Sequence, residues 1–97
     1  MLEKLKQFKD LREKAKGLQS MLAEEKVEGS AAWGKIKMSM NGNQEVLSVT
    51  VDPELLGNKA KLEEAIKEVT NDSIKKAQKV MATKMMQDGN FKMPGLS

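Results

Sequence analysis

The sequence contains no cysteine and no histidine. Without cysteine, disulfide bonds and thiol chemistry are excluded, which fits a protein of the reducing cytoplasm. Without histidine, the chain lacks the usual general base at neutral pH and the commonest metal ligand. We therefore expect no enzyme, no metal or cofactor site and no small-molecule substrate.

Aromatic residues are also scarce, with one Trp, two Phe and no Tyr. Single-stranded nucleic acids and RNA loops are usually held by stacking on aromatic side chains, so the composition disfavours these partners. The only arginine is Arg12, and arginine is the commonest reader of guanine in the major groove. No apolar run approaches the roughly 18 residues of a membrane span, so we expect no membrane partner.

Positive charge is concentrated near the two ends of the chain, although the net charge is only +3. Residues 1–16 hold six basic and three acidic groups, and residues 73–97 hold five basic and one acidic. The segment between them holds six basic and ten acidic groups. An acidic middle between two basic ends favours an anionic partner at the ends. Lysine-rich helix faces that are simply solvated would give the same pattern.

The apolar spacing predicts two long amphipathic helices. In the first, from Leu2 to about Glu24, apolar residues recur at steps of three and four. The second runs from about Asn58 to Met86, and its acidic half precedes its basic half. Its predicted inward positions are Leu62, Ile66, Val69, Ile74, Ala77, Val80 or Met81, and Met85, with a shift of the stripe near Asn71-Asp72.

Between the helices the pattern changes to period two, which is typical of strands. Residues 35–40 and 46–51 alternate around Asn41-Gly42-Asn43, a segment that tolerates the positive φ of a hairpin turn. Residues 26–32 form a weaker third strand. Asp52-Pro53 predicts a helix start, because Asp caps free N–H groups and Pro fits the first turn. The fold class is therefore α+β: a long helix, a small antiparallel three-strand sheet and a long helix, within one domain of residues 1–86. Gly and Pro predict a flexible C-terminal tail at 87–97.

This order resembles the YbaB/EbfC family of nucleoid-associated DNA-binding proteins. The residues that carry the resemblance are Gly34, the strand 35–40 with its Asn41-Gly42 turn, 49–56 (Val-Thr-Val-Asp-Pro-Glu-Leu-Leu), 62–66, 71–73 and Met93-Pro94-Gly95. The family usually has a glycine-rich run where this chain has Ser30-Ala31-Ala32-Trp33-Gly34. The resemblance implies a tweezer-like homodimer that binds double-stranded DNA with little sequence preference, in the nucleoid of the cytoplasm.

On this reading, lysines and an arginine on both helices contact phosphates of duplex DNA. The predicted DNA-binding residues are Lys4, Lys6, Lys9, Arg12, Lys75, Lys76, Lys79 and Lys84. Two one-sided helices and a small sheet expose more apolar surface than 97 residues can cover, which favours a dimer. Trp33, Ile36 and Met38 are assigned to its interface, and an ordinary core position is the alternative for Trp33.

Other functions have weaker support in the sequence. Residues 29–35 resemble the start of a phosphate-binding P-loop, but Ile36 stands where Ser or Thr is needed and a strand follows instead of a helix. The carboxylates of Glu63, Glu64, Glu68 and Asp72 fit an exposed helix face. The alternative function that remains is a dimeric protein–protein adaptor linked to DNA repair or replication, without direct DNA binding.

Overall fold

The described chain begins and ends in a long helix, with a sheet between the two. This computed structural model describes residues 2–87, with side chains from residue 7 onward. The predicted tail lies outside the described residues from position 88, and Gln87 still belongs to the last helix. The elements are α1 (Leu2–Glu24), β1 (Lys26–Ala31), a 3-10 turn (Ala32–Gly34), β2 (Ile36–Asn41), β3 (Val46–Val51), α2 (Pro53–Leu56) and α3 (Lys59–Gln87).

The three strands form an antiparallel sheet in the order β1-β2-β3, which confirms the predicted α+β fold class. In register, Gly29 pairs with Met38, and Met38 pairs with Val49, so these residues share one face of the sheet. Helix α3 packs on that face over β1 and β2. The core therefore lies between α3 and β2, where Ile36, Met38 and Met40 are buried.

The inward stripe of α3 consists of small residues at steps of four, namely Ala65, Val69, Ser73 and Ala77. Val69 and Ala77 were predicted to face inward and are buried, and the predicted Leu62 and Ile74 pack against the core as partly buried residues. The prediction is wrong for Ile66 and for the shift of the stripe near Asn71-Asp72. Ile66 is 47% exposed, and Ser73 continues the stripe without a shift. Small side chains occupy these positions because α3 packs close to the sheet, and larger side chains would increase the distance between the helix and the strands.

The start of α2 has the geometry that Asp52-Pro53 predicts. The backbone N–H of Glu54 donates to Asp52 Oδ1 at 2.9 Å, and Pro53 occupies the first turn. Gly57 is the C-terminal cap, as its place in the sequence indicates. The same helix turn is tied to the sheet, because the Asp52 N–H donates to Lys35 O at 2.7 Å.

Helix α1 is attached to the sheet at its C-terminal end. The N–H of Gly42, in the hairpin turn, donates to Leu22 O at 2.9 Å, and Asn43 Nδ2 donates to Gln19 O at 2.8 Å. Leu22 is buried against this turn. Residues 7–17 of α1 are all exposed, so this part of the helix projects from the sheet as an arm. Its length follows from the helical rise of about 1.5 Å per residue.

Candidate nucleic-acid interface

The α1 arm carries exposed cations. Lys9 and Arg12 are exposed, and so are Lys14 and Lys16, which were not among the predicted contacts. Within the residues whose side chains are described, these four form no ion pair. The side chains of the predicted contacts Lys4 and Lys6 lie outside the described set. A helix that offers several unpaired cations to solvent can meet successive phosphates of a polyanion.

The four predicted lysines of α3 fall into two pairs with different surroundings. Lys76 Nζ lies 3.1 Å from Asp72 Oδ2 and donates to Glu28 O at 2.9 Å. Lys84 Nζ lies 2.9 Å from Glu25 Oε1. Lys75 and Lys79 are exposed and have no ion-pair partner among the described residues. Lys76 and Lys84 therefore hold α3 against the region of β1. Lys75 and Lys79 make no such contact among the described residues and can bind an external anion.

Asp72 and Lys76 together occupy the outer edge of β1. Asp72 Oδ2 accepts the Ser30 N–H at 3.0 Å, while Lys76 donates to the carbonyl of Glu28. The hydrogen bond from Ser30, followed by that from Lys76, lowers the pKa of Asp72 below its ordinary value. An edge strand has free backbone groups that attract other strands, and this pair satisfies two of them. Sequence spacing could show only that Asp72 and Lys76 are one turn apart.

The basic half of α3 lies along the sheet and does not project beyond it. Moving along α3, Ser73 lies over Gly29, Lys76 reaches Glu28 and Lys84 reaches Glu25. Helix α3 therefore runs antiparallel to β1. Its C-terminal end lies near the start of β1, at the same end of the sheet as the attachment of α1. Of the two basic ends of the chain, the one on α1 therefore projects as an arm, whereas the one on α3 lies along the sheet as a flank.

Charges on the first half of α3 are compensated within the helix. Lys59 lies 3.8 Å from Glu63, and Lys67 lies 3.0 Å from Glu64. Acidic residues early and basic residues late also complement the helix dipole. The described surface thus has a neutral to acidic end on α3 and a basic end near the base of α1.

Two further lysines belong to the sheet. Lys35 Nζ lies 2.6 Å from Glu54 Oε2, and this hydrogen bond raises the pKa of Lys35. Lys37 is exposed on the sheet face opposite α3, because its register partners Ser30 and Thr50 share that face. The alternation of the strand placed Lys37 outward, but its distance from the helices could not be derived from sequence.

The predicted interface residues differ in accessibility. Ile36 is fully buried and Met38 nearly so beneath α3, so both belong to the chain's own core and are closed to a partner in this arrangement. Trp33 is fully exposed on a turn where Ala32, Trp33 and Gly34 all have positive φ. The alternative of a core tryptophan is therefore wrong for the single chain.

Large apolar side chains are exposed on α1 and β3. Phe8 is 70% exposed and Leu11 65%. On β3, Val46, Leu47 and Val49 are each about half exposed because α3 does not reach over this strand. Patches of this kind mark interaction sites more often than they occur by accident.

Among residues 2–87, acidic side chains do not converge in any group of three that could hold a metal ion. The helices of this part of the chain are too polar or too short to cross a membrane.

Sequence and structure comparisons identify similar proteins. Residues 1–88 match the YbaB/EbfC DNA-binding family. A nucleoid-associated protein of Dictyoglomus thermophilum is 37% identical, over 97% of this chain and 94% of its own. One from Gloeobacter violaceus is 35% identical, over 95% and 85%. The crystal structure of an uncharacterized Helicobacter pylori protein matches 81% of this chain and 94% of its own, with a TM-score of 0.69 at 16% identity, a similarity of fold.

Proposed function

This chain belongs to the YbaB/EbfC DNA-binding family, and from that premise we propose that it binds double-stranded DNA through the phosphate backbone and helps to organise the nucleoid in the cytoplasm. The observation that carries the proposal is the α1 arm, whose residues 7–17 are exposed and include four cations without ion-pair partners among the described side chains. Lys75 and Lys79 add cations on the flank of α3.

Recognition of the backbone without reading of bases follows from the composition. Phosphate contacts position a protein on DNA and carry no sequence information. The chain has a single arginine for bidentate contacts to guanine and few aromatic groups for stacking. The binding that we propose is therefore non-specific and strongly salt-dependent. If about 4–6 phosphates are neutralised, affinity falls roughly a hundredfold to a thousandfold between 50 and 200 mM salt.

We also propose that the chain acts as a homodimer. A projecting helix is marginal in water unless its apolar side is packed, and Phe8 and Leu11 lie uncovered on α1. The apolar side chains of β3 are uncovered as well, and among the described residues nothing pairs with its outer edge. A second copy would cover both surfaces through a symmetric interface, which would use β3 and Trp33 in place of the buried Ile36 and Met38.

The test of DNA binding is a charge reversal at the two free lysines of α3. The variant Lys75→Glu with Lys79→Glu should weaken binding to a random duplex at low salt. It should also reduce the slope of log affinity against log salt by up to about 2 per protomer, since each lysine–phosphate contact contributes roughly 1. Fluorescence anisotropy over a salt series measures both. Lys76 is left intact because it binds the backbone of β1.

The matched control is Lys59→Glu with Lys67→Glu, which makes the same change of charge on the acidic half of the same helix. These residues form exposed ion pairs, whose loss costs little stability. Equal loss of binding in both variants would contradict a local site on the flank of α3. A parent protein that produces no anisotropy change at micromolar concentration and low salt would reject DNA binding and favour the adaptor function.

A further inference from the structure

A groove lies between the last three turns of α3 and the start of β1. It encloses about 600 Å³ and reaches from Lys76 to Gln87 along the helix. Val27 and Val80 supply apolar side chains, both only half-buried in the described chain. Covering the part of these side chains that is still exposed with a further apolar group is favourable.

The charges around the groove do not favour DNA as its occupant. Glu25 and Glu28 line it together with three lysines. The Lys84 ammonium is paired with Glu25, and Lys76 is held by Asp72. The third lysine, Lys79, is exposed, and it is the phosphate contact proposed above for the flank of α3. Phosphates would meet these carboxylates, whereas a weakly charged apolar peptide would not. The lining therefore fits a short apolar segment of protein.

We propose that this groove is the docking site of the chain's own C-terminal segment, Phe91–Leu96. Gln87, where the described part of α3 ends, is also the last residue that lines the groove. The residues that follow it, Asp88-Gly89-Asn90, have the composition of a helix stop and chain reversal. A segment that follows Gln87 through such a reversal can therefore turn back into the groove.

Length and side-chain pattern match this assignment. Six extended residues span about 20 Å, and the groove follows α3 from Lys76 to Gln87, a distance of about 17 Å at 1.5 Å per residue. In an extended chain, Phe91 and Met93 fall on one side and Lys92 on the other. Pro94 favours extended backbone at the residue before it. Phe91 and Met93 would thus cover Val27 and Val80, with Lys92 directed to solvent.

Disulfide trapping tests this docking, since the chain has no cysteine of its own. Thr83 lines the groove, whereas Gln78 is exposed on α3 outside it. In the full-length protein, Thr83→Cys with Met93→Cys should oxidise to an intrachain disulfide at least about tenfold faster than Gln78→Cys with Met93→Cys, because docking raises the local concentration of the two thiols. Peptide mass spectrometry under mild oxidant measures the rates.

Equal rates for the two pairs would overturn the proposal. Mixing isotope-labelled and unlabelled chains separates intrachain from interchain bonds, and a bond that forms only between chains would assign the groove to the tail of a second copy and reject docking within one chain. Adding Phe91→Ser to the trapping pair should reduce its rate to that of the control, and this change leaves the groove itself intact. The readout does not involve DNA, so its failure is distinct from failure of DNA binding.

Discussion

At the scale of single residues, Gly29 sets how closely α3 approaches the sheet. A Cβ at this position would lie 2.1 Å from Ser73 Oγ and 2.9 Å from Ser73 N. Ser73 is itself fully buried, and its hydroxyl donates to Val69 O at 2.7 Å. The hydroxyl is thereby satisfied inside the helix, which allows a polar residue in the core.

We expect Gly29→Ala to lower the free energy of unfolding by about 1–3 kcal/mol, because α3 must move away from β1 to accommodate the methyl group. Urea denaturation followed by circular dichroism measures the change. Gly17→Ala is the matched control, since nothing lies within 4 Å of a Cβ there. It should raise stability by about 0.5–1 kcal/mol through helix propensity. A Gly29→Ala protein as stable as the parent would refute the close approach.

Asp72 gives a prediction about pH. Its pKa is lowered in the folded chain, so its contribution to stability is present above the unfolded value near 3.8 and is lost as the pH falls through the lower folded pKa. Asp72→Asn should cost about 0.5 kcal/mol at pH 7, a value reduced for the partial exposure of the pair. This difference from the parent should be smaller in acid than at pH 7, because Asp72 is protonated as the pH falls through its lowered pKa.

Urea titrations of the parent and of Asp72→Asn, at pH 7 and in acid, measure this difference in stability. Glu68→Gln serves as the control because Glu68 is an exposed carboxylate of the same helix without an ion pair among the described residues. It should change stability little at either pH. A cost of Asp72→Asn that stays the same in acid would show that the charge of Asp72 has no part in holding the edge of β1.

At the scale of elements, the two edges of the sheet differ. The β1 edge is occupied by Asp72 and Lys76 from α3. At the β3 edge, none of the described residues forms a further strand. Protected edges resist association, and open edges with apolar side chains invite it. The sheet therefore directs a partner to β3, which is also the strand that α3 leaves uncovered.

We expect Val49→Glu to shift the proposed homodimer toward monomer, because the new carboxylate would be desolvated at the interface. Sedimentation equilibrium should give a dissociation constant raised at least about tenfold, which corresponds to about 1.4 kcal/mol. Thr50→Glu places the same charge on the other face of β3, where Thr50 is also exposed, and it should have the smaller effect. A larger effect at Thr50 would place the interface on the opposite face of the sheet.

At the scale of the whole molecule, the described chain is elongated, with extents of 62 × 27 × 20 Å. Its core is small, because one helix covers two strands and residues 7–17 of α1 pack against none of the described residues. On the proposed homodimer, association would supply part of the stability that so small a core does not. The α1 arm, which the DNA-binding proposal uses, belongs to the part that a second copy would order.

If the folded state is a dimer, its melting temperature depends on protein concentration by mass action. We expect a tenfold increase in concentration to raise the melting temperature by about 3–5 °C. Differential scanning calorimetry over two decades of concentration measures this. A melting temperature independent of concentration would contradict coupling of folding to association, and Val49→Glu should flatten the dependence.

The sequence by itself determined the order of the elements and, to within about one residue, their limits. The bounds of α1, the hairpin turn, the Asp52 cap and the end of α2 at Gly57 all follow from residues a few positions apart. Capping, turn geometry and hydrophobic period are local interactions, so they can be derived from adjacent residues. The concentration of basic residues toward both ends of the chain could also be counted directly from the sequence.

Only the tertiary structure decided which of these residues are buried, which are held in ion pairs or hydrogen bonds, and which are exposed. Ser73 is buried against β1 because Gly29 carries no side chain at the point of contact, whereas Ile66 is exposed. The Lys76 ammonium is held in place because it donates to the Glu28 carbonyl of β1, 48 residues earlier in the chain. Val49 is exposed because α3 stops short of β3. Each outcome depends on contacts between residues far apart in the chain, and the spacing of residue types along a sequence does not encode the distance between two packed elements.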